Sequence, residues 1–136
     1  MTAGEAVGVE GHDPLSHQLA NHERSITEAL IGLGTPPHVA KVMICLHVHG
    51  AASSKILQER CDIRQPEVSL AIQELKKRSL VEINHSEAKG RGRPSHIYDL
   101  SEPVALGIGQ FVSETEQRIE ALQQGVSNLK DLVQDL

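Results

Sequence analysis

Aromatic side chains are nearly absent. Tyr98 and Phe111 are the only two in 136 residues, and there is no tryptophan. Binding of single-stranded nucleic acid stacks successive bases on several rings, so that mode is disfavoured. The core must instead be built from Leu, Ile, Val and Ala. Cysteine is as scarce: Cys45 and Cys61 are too few for a disulfide framework. No window approaches the ~18 consecutive apolar residues of a membrane helix, so no membrane partner is expected. A basic start followed by an apolar run is also missing, which reads as no signal peptide and a cytoplasmic protein. No phosphate-binding glycine loop, Cys-x-x-Cys, His-Glu-x-x-His or nucleophile elbow is found. The expectation is therefore no enzyme, no catalytic residue and no cofactor.

An excess of positive charge is lacking too. The chain holds 13 basic and 18 acidic residues, a net charge of −5. The distribution matters more than the total. Residues 1–50 carry two basic and five acidic residues, and residues 101–136 carry two and six. Residues 51–100 carry nine and seven. A polyanion responds to local charge, so the middle segment is the one to inspect.

Residues 1–14 hold three glycines and a proline without usable period and read as a flexible tail. Residues 15–32 place Leu15, Leu19, Ile26 and Leu30 at helical spacing, ended by Gly32 and Gly34. Thr35-Pro36-Pro37 starts the next helix, with Thr35 as the cap and proline in the first turn. That helix runs through Val39, Val42, Met43 and Leu46 to Gly50. Ser53 or Ser54 caps a short helix ending near Cys61-Asp62. Gln65-Pro66 opens a third, with Val68, Ala71, Ile72 and Leu75 on one face. Val81–Ile83 and His96–Leu100 alternate as strands around a loop at 86–95, which makes a hairpin. Residues 33–101 thus form one domain.

Glu102-Pro103 begins the last helix, the segment 102–136. Ile108, Val112, Thr115, Ile119, Leu122, Val126, Leu129, Val133 and Leu136 are spaced alternately four and three apart. Val112, Ile119, Val126 and Val133 take one position of a heptad, and leucines dominate the other. This alternation favours a two-stranded coiled coil. A narrow stripe on a helix of about 45 Å is more than one small domain covers. A homodimer through Ile108, Val112, Ile119, Leu122, Val126, Leu129 and Val133 is expected. Gly125 lies outside the stripe.

Two short helices, a third, and a hairpin are the order of a winged helix-turn-helix. The stretch from Cys61 to Leu75, with its Gln65-Pro66-Glu67-Val68-Ser69 core, resembles the turn and recognition helix of bacterial and archaeal winged-helix regulators of the ArsR and MarR groups. From Leu33 to Leu100 the chain is similar to the archaeal TrmB-like regulators. The residues that carry this are Ala40-Lys41-Val42, Leu80-Val81 and Gly92-Arg93-Pro94. The resemblance covers about half of the chain. It implies a mainly α fold with a small β-hairpin wing, followed here by a coiled-coil dimerisation helix. It also implies a double-stranded DNA partner. The large sugar-binding domain of longer TrmB members is missing, so no effector site is implied.

The residues support that reading on their own. With one face of helix 65–78 buried, Arg64, Gln65, Ser69 and Gln73 are left for DNA. Arginine suits guanine, and glutamine suits adenine, in the major groove. Lys76 lies near the same face, whereas Lys77 and Arg78 serve equally to close the helix C-terminus. Glu67 either repels phosphate, accepts from a cytosine, or favours the positive helix start. Ser53, Ser54 and Lys55 suit phosphate contacts, which set position rather than sequence. Lys89, Arg91 and Arg93 alternate with glycines in the wing, where arginine enters a narrow minor groove.

Competing readings are a protein-interaction module of the transcription machinery and an ArsR-like metal or redox sensor. Cys45 and His49 share a helix face, but Cys45 sits among Met43, Ile44 and Leu46, where a free cysteine acts as a small hydrophobe. No metal is expected. Cys61 flanks the turn, with Arg60 and Arg64 nearby. With no separate ligand domain, no small-molecule effector is expected. The sum is a dimeric repressor.

Overall fold

The computed structural model describes the backbone of residues 14–85 and 96–136, and the side chains among these from residue 21 onward. The helices are α1 Pro14–Gly32, α2 Pro37–His49, α3 Ser54–Cys61, α4 Gln65–Lys77 and α5 Val104–Val133. The strands are β1 Ala52–Ser53, β2 Val81–His85 and β3 His96–Leu100. They form one antiparallel sheet in the order β1-β3-β2, with Ile83 opposite Tyr98 and His85 opposite His96. The expected tail lies outside the described residues except for Pro14, which opens α1, and the wing loop 86–95 lies outside them as well.

Three of the helix ends follow one rule. Three helices close by a Schellman pattern, in which an N–H reaches back across a residue with positive φ. Thr35 donates to Leu30 at 3.1 Å around Gly34, whose φ is 106°. Ile63 donates to Gln58 at 3.2 Å around Asp62, φ 55°, and Leu80 donates to Leu75 at 2.9 Å around Ser79, φ 62°. Thr35 is therefore not the cap of α2. It is buried in the closure of α1, and the α2 start falls to Pro36 and Pro37. The expected cap of α3 is correct in Ser53, whose hydroxyl accepts from the Ile56 N–H at 3.3 Å.

Helix α2 is the centre of the core, with Val39, Ala40, Val42, Met43, Ile44, Cys45 and Leu46 all buried. Against it pack Leu57, Val68, Ala71, Ile72, Leu75, Leu80 and Val81. Leu30 closes one side and Phe111 another. Tyr98 is half-buried against this cluster, in keeping with a packing role. Only the start of α5 joins it, through Gly107, Phe111 and the half-buried Val104 and Ile108. Beyond Thr115 every residue of α5 is exposed.

Candidate nucleic-acid interface

Helix α4 buries Val68, Ala71, Ile72 and Leu75. Pro66, Leu70, Gln73 and Lys77, at i, i+4, i+7 and i+11, then share the opposite face. All four are exposed. Gln65 and Lys76 are also exposed and flank that face, while Ser69 is half-buried. Arg64 precedes the helix as its N-cap residue, exposed. Its backbone N–H donates to the Glu67 carboxylate at 3.0 Å. Glu67 thus serves the helix start, where a carboxylate meets free N–H groups and a positive dipole end. Its charge is engaged there rather than aimed at a base.

Ser53 and Ser54 stand at the start of α3. Their hydroxyl oxygens already accept, from Ile56 N–H and from Gln58 Nε2 at 3.1 Å. Each hydroxyl proton remains available as a donor to phosphate. Lys55 beside them is exposed. The end of α3 is joined to the start of α4 by only Asp62, Ile63 and Arg64, whereas Ser53, Ser54 and Lys55 stand at the other end of α3. Lys89, Arg91 and Arg93 lie outside the described residues.

Two side chains change the reading of α4. Leu70 is 53% exposed in the middle of the outward face. An apolar side chain there suits the methyl group of thymine. Its signal was its position off the buried stripe. Arg78 is withdrawn from the surface. It donates to Glu74 at 2.7 Å and to both oxygens of Glu114 on α5, and its guanidinium lies 4.1 Å over the Phe111 ring. Glu114 pairs it and strengthens its hold on the proton, against the cost of burial. In return Arg78 holds the Glu114 carboxyl below the usual range. Arg118 on the next turn of α5 donates to the Leu33 carbonyl at 2.7 Å.

Along α5, Val112, Ile119, Leu122, Val126, Leu129 and Val133 are exposed on one side, with Leu122 at 69%. Ile108 differs from the rest of the expected seam, being half-buried against the core. The apolar residues of the stripe are exposed from Val112 onward, while Thr115 among them is half-buried and donates to the Phe111 carbonyl at 2.9 Å.

Among the described residues, no group of three or more His, Cys, Asp or Glu side chains is placed to hold a metal ion. No described helix is long and apolar enough to cross a membrane. A cleft of about 410 Å³ opens among α1, α2 and α3, lined by Arg24, Lys41, Cys45, Arg60 and Cys61 among others. Small-molecule sites are commonly of this size. A cleft of this size within the described residues removes the ground for expecting no small-molecule effector, and that expectation is withdrawn.

No protein-family model matches the sequence, and no curated protein matches it. Solved structures do match the fold. A possible transcriptional regulator from Methanosarcina mazei Go1 superposes with TM-score 0.51 at 12% identity, over 75% of this chain and 86% of the other. A MarR family transcription regulator gives 0.48 at 19% identity, over 81% and 70%. BpsR of Bordetella bronchiseptica, whose DNA binding is regulated by 6-hydroxynicotinic acid, gives 0.47 at 19% identity, over 85% and 99%. At these identities the likeness is one of fold alone.

Proposed function

We propose that this chain is a sequence-specific, double-stranded-DNA-binding transcription regulator that works as a homodimer. The observation that carries the reading is the outward face of α4. Opposite its buried stripe, it offers Gln65, Leu70, Gln73, Lys76 and Lys77 to the solvent. Glutamine reads adenine in the major groove, leucine meets thymine methyl groups, and lysine meets phosphate. Ser53, Ser54, Lys55 and Arg64 hold the phosphates at the start of α3 and α4, and Ser69 supports the base-reading row. The wing adds Lys89, Arg91 and Arg93 at the minor groove.

Dimerisation runs along α5 from Val112 to Val133, because a free stripe of this pattern needs a second copy. The dimer sets two α4 helices about one DNA turn apart, roughly 34 Å, on a pseudo-palindrome. Repression follows most simply, since a dimer seated at a promoter blocks polymerase. The finer likeness to archaeal TrmB-like regulators rests on Ala40-Lys41-Val42, Leu80-Val81 and Gly92-Arg93-Pro94. A cytoplasmic setting belongs to the same reading. The net charge of −5 favours one rival, a winged helix that binds protein instead of DNA.

The test is nuclease protection on the chain's own promoter region, with chelator and reductant present. A footprint of roughly 15–25 base pairs is expected from the half-site spacing. Protection that appears only after zinc is added would replace this reading with the metal sensor.

A further inference from the structure

The only two cysteines of the chain meet. Cys45 lies within α2 and Cys61 is the last residue of α3, and both are free. Both line one cleft between α2 and α3, and each is the largest single influence on the other's thiol. Both residues are buried at the wall of this cleft, which opens to solvent among α1, α2 and α3. Cys61 is followed at once by Asp62 in the left-handed region and then by the turn that starts α4. A change at Cys61 is therefore delivered to the end of α4 that carries Arg64 and Gln65.

We propose that Cys45 and Cys61 are a peroxide-oxidised dithiol, whose disulfide shifts the start of α4 and weakens DNA binding. The regulatory half rests on the DNA-binding reading above, whereas the thiol chemistry stands without it. The Cys45 thiolate attacks the outer oxygen of a hydroperoxide. An S–O bond forms, the O–O bond breaks, and the alkoxide leaves as an alcohol after taking a proton from solvent. The sulfur is oxidised by two electrons to a sulfenic acid, and the peroxide is reduced by two. Cys61 then attacks this sulfur and gives up its proton. The S–O bond breaks, and the hydroxide leaves with that proton as water. Two thiols and one hydroperoxide yield one disulfide, one alcohol and one water.

The surroundings suit each role. The neighbouring Cys61, helped by Arg60, holds the Cys45 thiol down to about 7 despite burial. The neighbouring Cys45, and then burial, push the Cys61 thiol up, which keeps it protonated until the first step is done. The charged and titratable groups facing the pair are Lys41 and His49 from α2, Glu23 and Arg24 from α1, and Arg60 from α3. Oxidation should accelerate as pH rises through about 7. The disulfide needs sulfurs ~2.05 Å apart, closer than any two unbonded thiols, so Cys61 must move toward α2.

The test treats the reduced full chain with hydrogen peroxide and reads mass, free thiol and affinity for a mixed-sequence duplex. The expected result is a mass about 2 Da lower within one protomer, the two hydrogens lost, fully restored by dithiothreitol. Affinity should fall about tenfold, within the usual range of coupling between sites. In Cys61→Ser the reaction should stall at a sulfenic acid that a 1,3-dione traps, and Cys45→Ser should resist the same dose. Loss of thiols without the 2 Da product, or disulfides between protomers only, overturns the pairing. The intramolecular disulfide with unchanged affinity overturns the switch. The mass readout on the unaltered chain decides the chemistry even if a serine variant folds badly. If the reduced chain binds no duplex, the DNA reading fails while the mass still decides the thiols.

Discussion

Arg78 at the end of α4 grips Glu114 on α5 through two hydrogen bonds, at 2.6 and 3.0 Å. The two residues stand 36 positions apart. The pair fastens the helix offered to DNA to the helix offered to a second copy, with Phe111 beneath the guanidinium at 4.1 Å. Any tilt of α5 is therefore felt at the C-terminus of α4.

Breaking that grip should cost stability in a pH-dependent way. Replacing Glu114 with Gln should lower stability by less than about 1 kcal/mol, because the carboxylate is half open to water. Replacing Arg78 with Met should cost more, about 1–2 kcal/mol, because Glu74 and the Phe111 contact are lost with it. Glu114 is held below the ordinary carboxylate value of 4.5. Its contribution is thus complete above that value and is lost as pH falls through the depressed one. Thermal melts should show parent and Glu114→Gln apart near pH 7 and converging as the pH falls below the ordinary value of 4.5 and through the depressed one. A gap that persists in acid contradicts the ion pair as its cause.

Two glycines of α5 should respond in opposite directions. A Cβ on Gly107 would lie 2.8 Å from the Met43 sulfur and 3.1 Å from Leu80 Cδ1. Both neighbours are buried, so Gly107→Ala should destabilise by about 1–2 kcal/mol even after its gain in helix propensity. Gly125 faces open space. Gly125→Ala should stabilise by up to about 1 kcal/mol. Denaturant melts of both variants check this, and the same sign for both would contradict the packing of α5 on α2.

Much of this architecture is legible in the sequence, and what is not has physical causes. Periodicity places the helices because each buries one stripe, and Gly34 marks an end that needs positive φ. Strand β1 escapes because two residues cannot show alternation; only its partners Ile97 and Tyr98 define it. Asp62 and Ser79 give no glycine signal for the turns they make. The heptad stripe of α5 is plain, yet it hides that its first turns, through Gly107, Ile108 and Phe111, pack on the core. Arg78 reads as a surface cation until its partner Glu114 is brought to it by the fold. Leu70 reads as core by type, and only its place off the stripe betrays its exposure. The contact of Cys45 with Cys61 joins two helices and leaves no local pattern.

Base reading and backbone affinity should separate by mutation. Gln73→Ala should relax preference at one or two base pairs, costing about 1–3 kcal/mol there. Leu70→Ala should weaken a preference for thymine at a neighbouring position. Arg91→Ala with Arg93→Ala should instead weaken binding to most duplexes and flatten its salt dependence by about two phosphate contacts. Selection from a random duplex library, followed by titration at several salt concentrations, distinguishes the two classes. A wing variant with unchanged affinity and slope would remove the wing from the interface.

The α5 seam should be disrupted by charge. Ile119→Asp with Leu122→Asp places carboxylates in the expected interface, where pairing them away from water is costly. Both sites are exposed in the single chain, so its fold should survive. Sedimentation equilibrium should show the parent as a dimer and the double variant as a monomer. A dimer of unchanged mass would move the interface elsewhere.

The central claim is that α4 and the wing hold double-stranded DNA despite the net charge of −5. Fluorescence anisotropy of a labelled mixed-sequence duplex, titrated with reduced chain from low to physiological salt, tests it most directly. The account predicts saturable binding at low salt whose constant falls steeply and linearly on a log–log plot as counterions return to the phosphates. Anisotropy that stays flat at the lowest salt, with the chain shown to be folded, would contradict it and leave the protein-binding winged helix in its place.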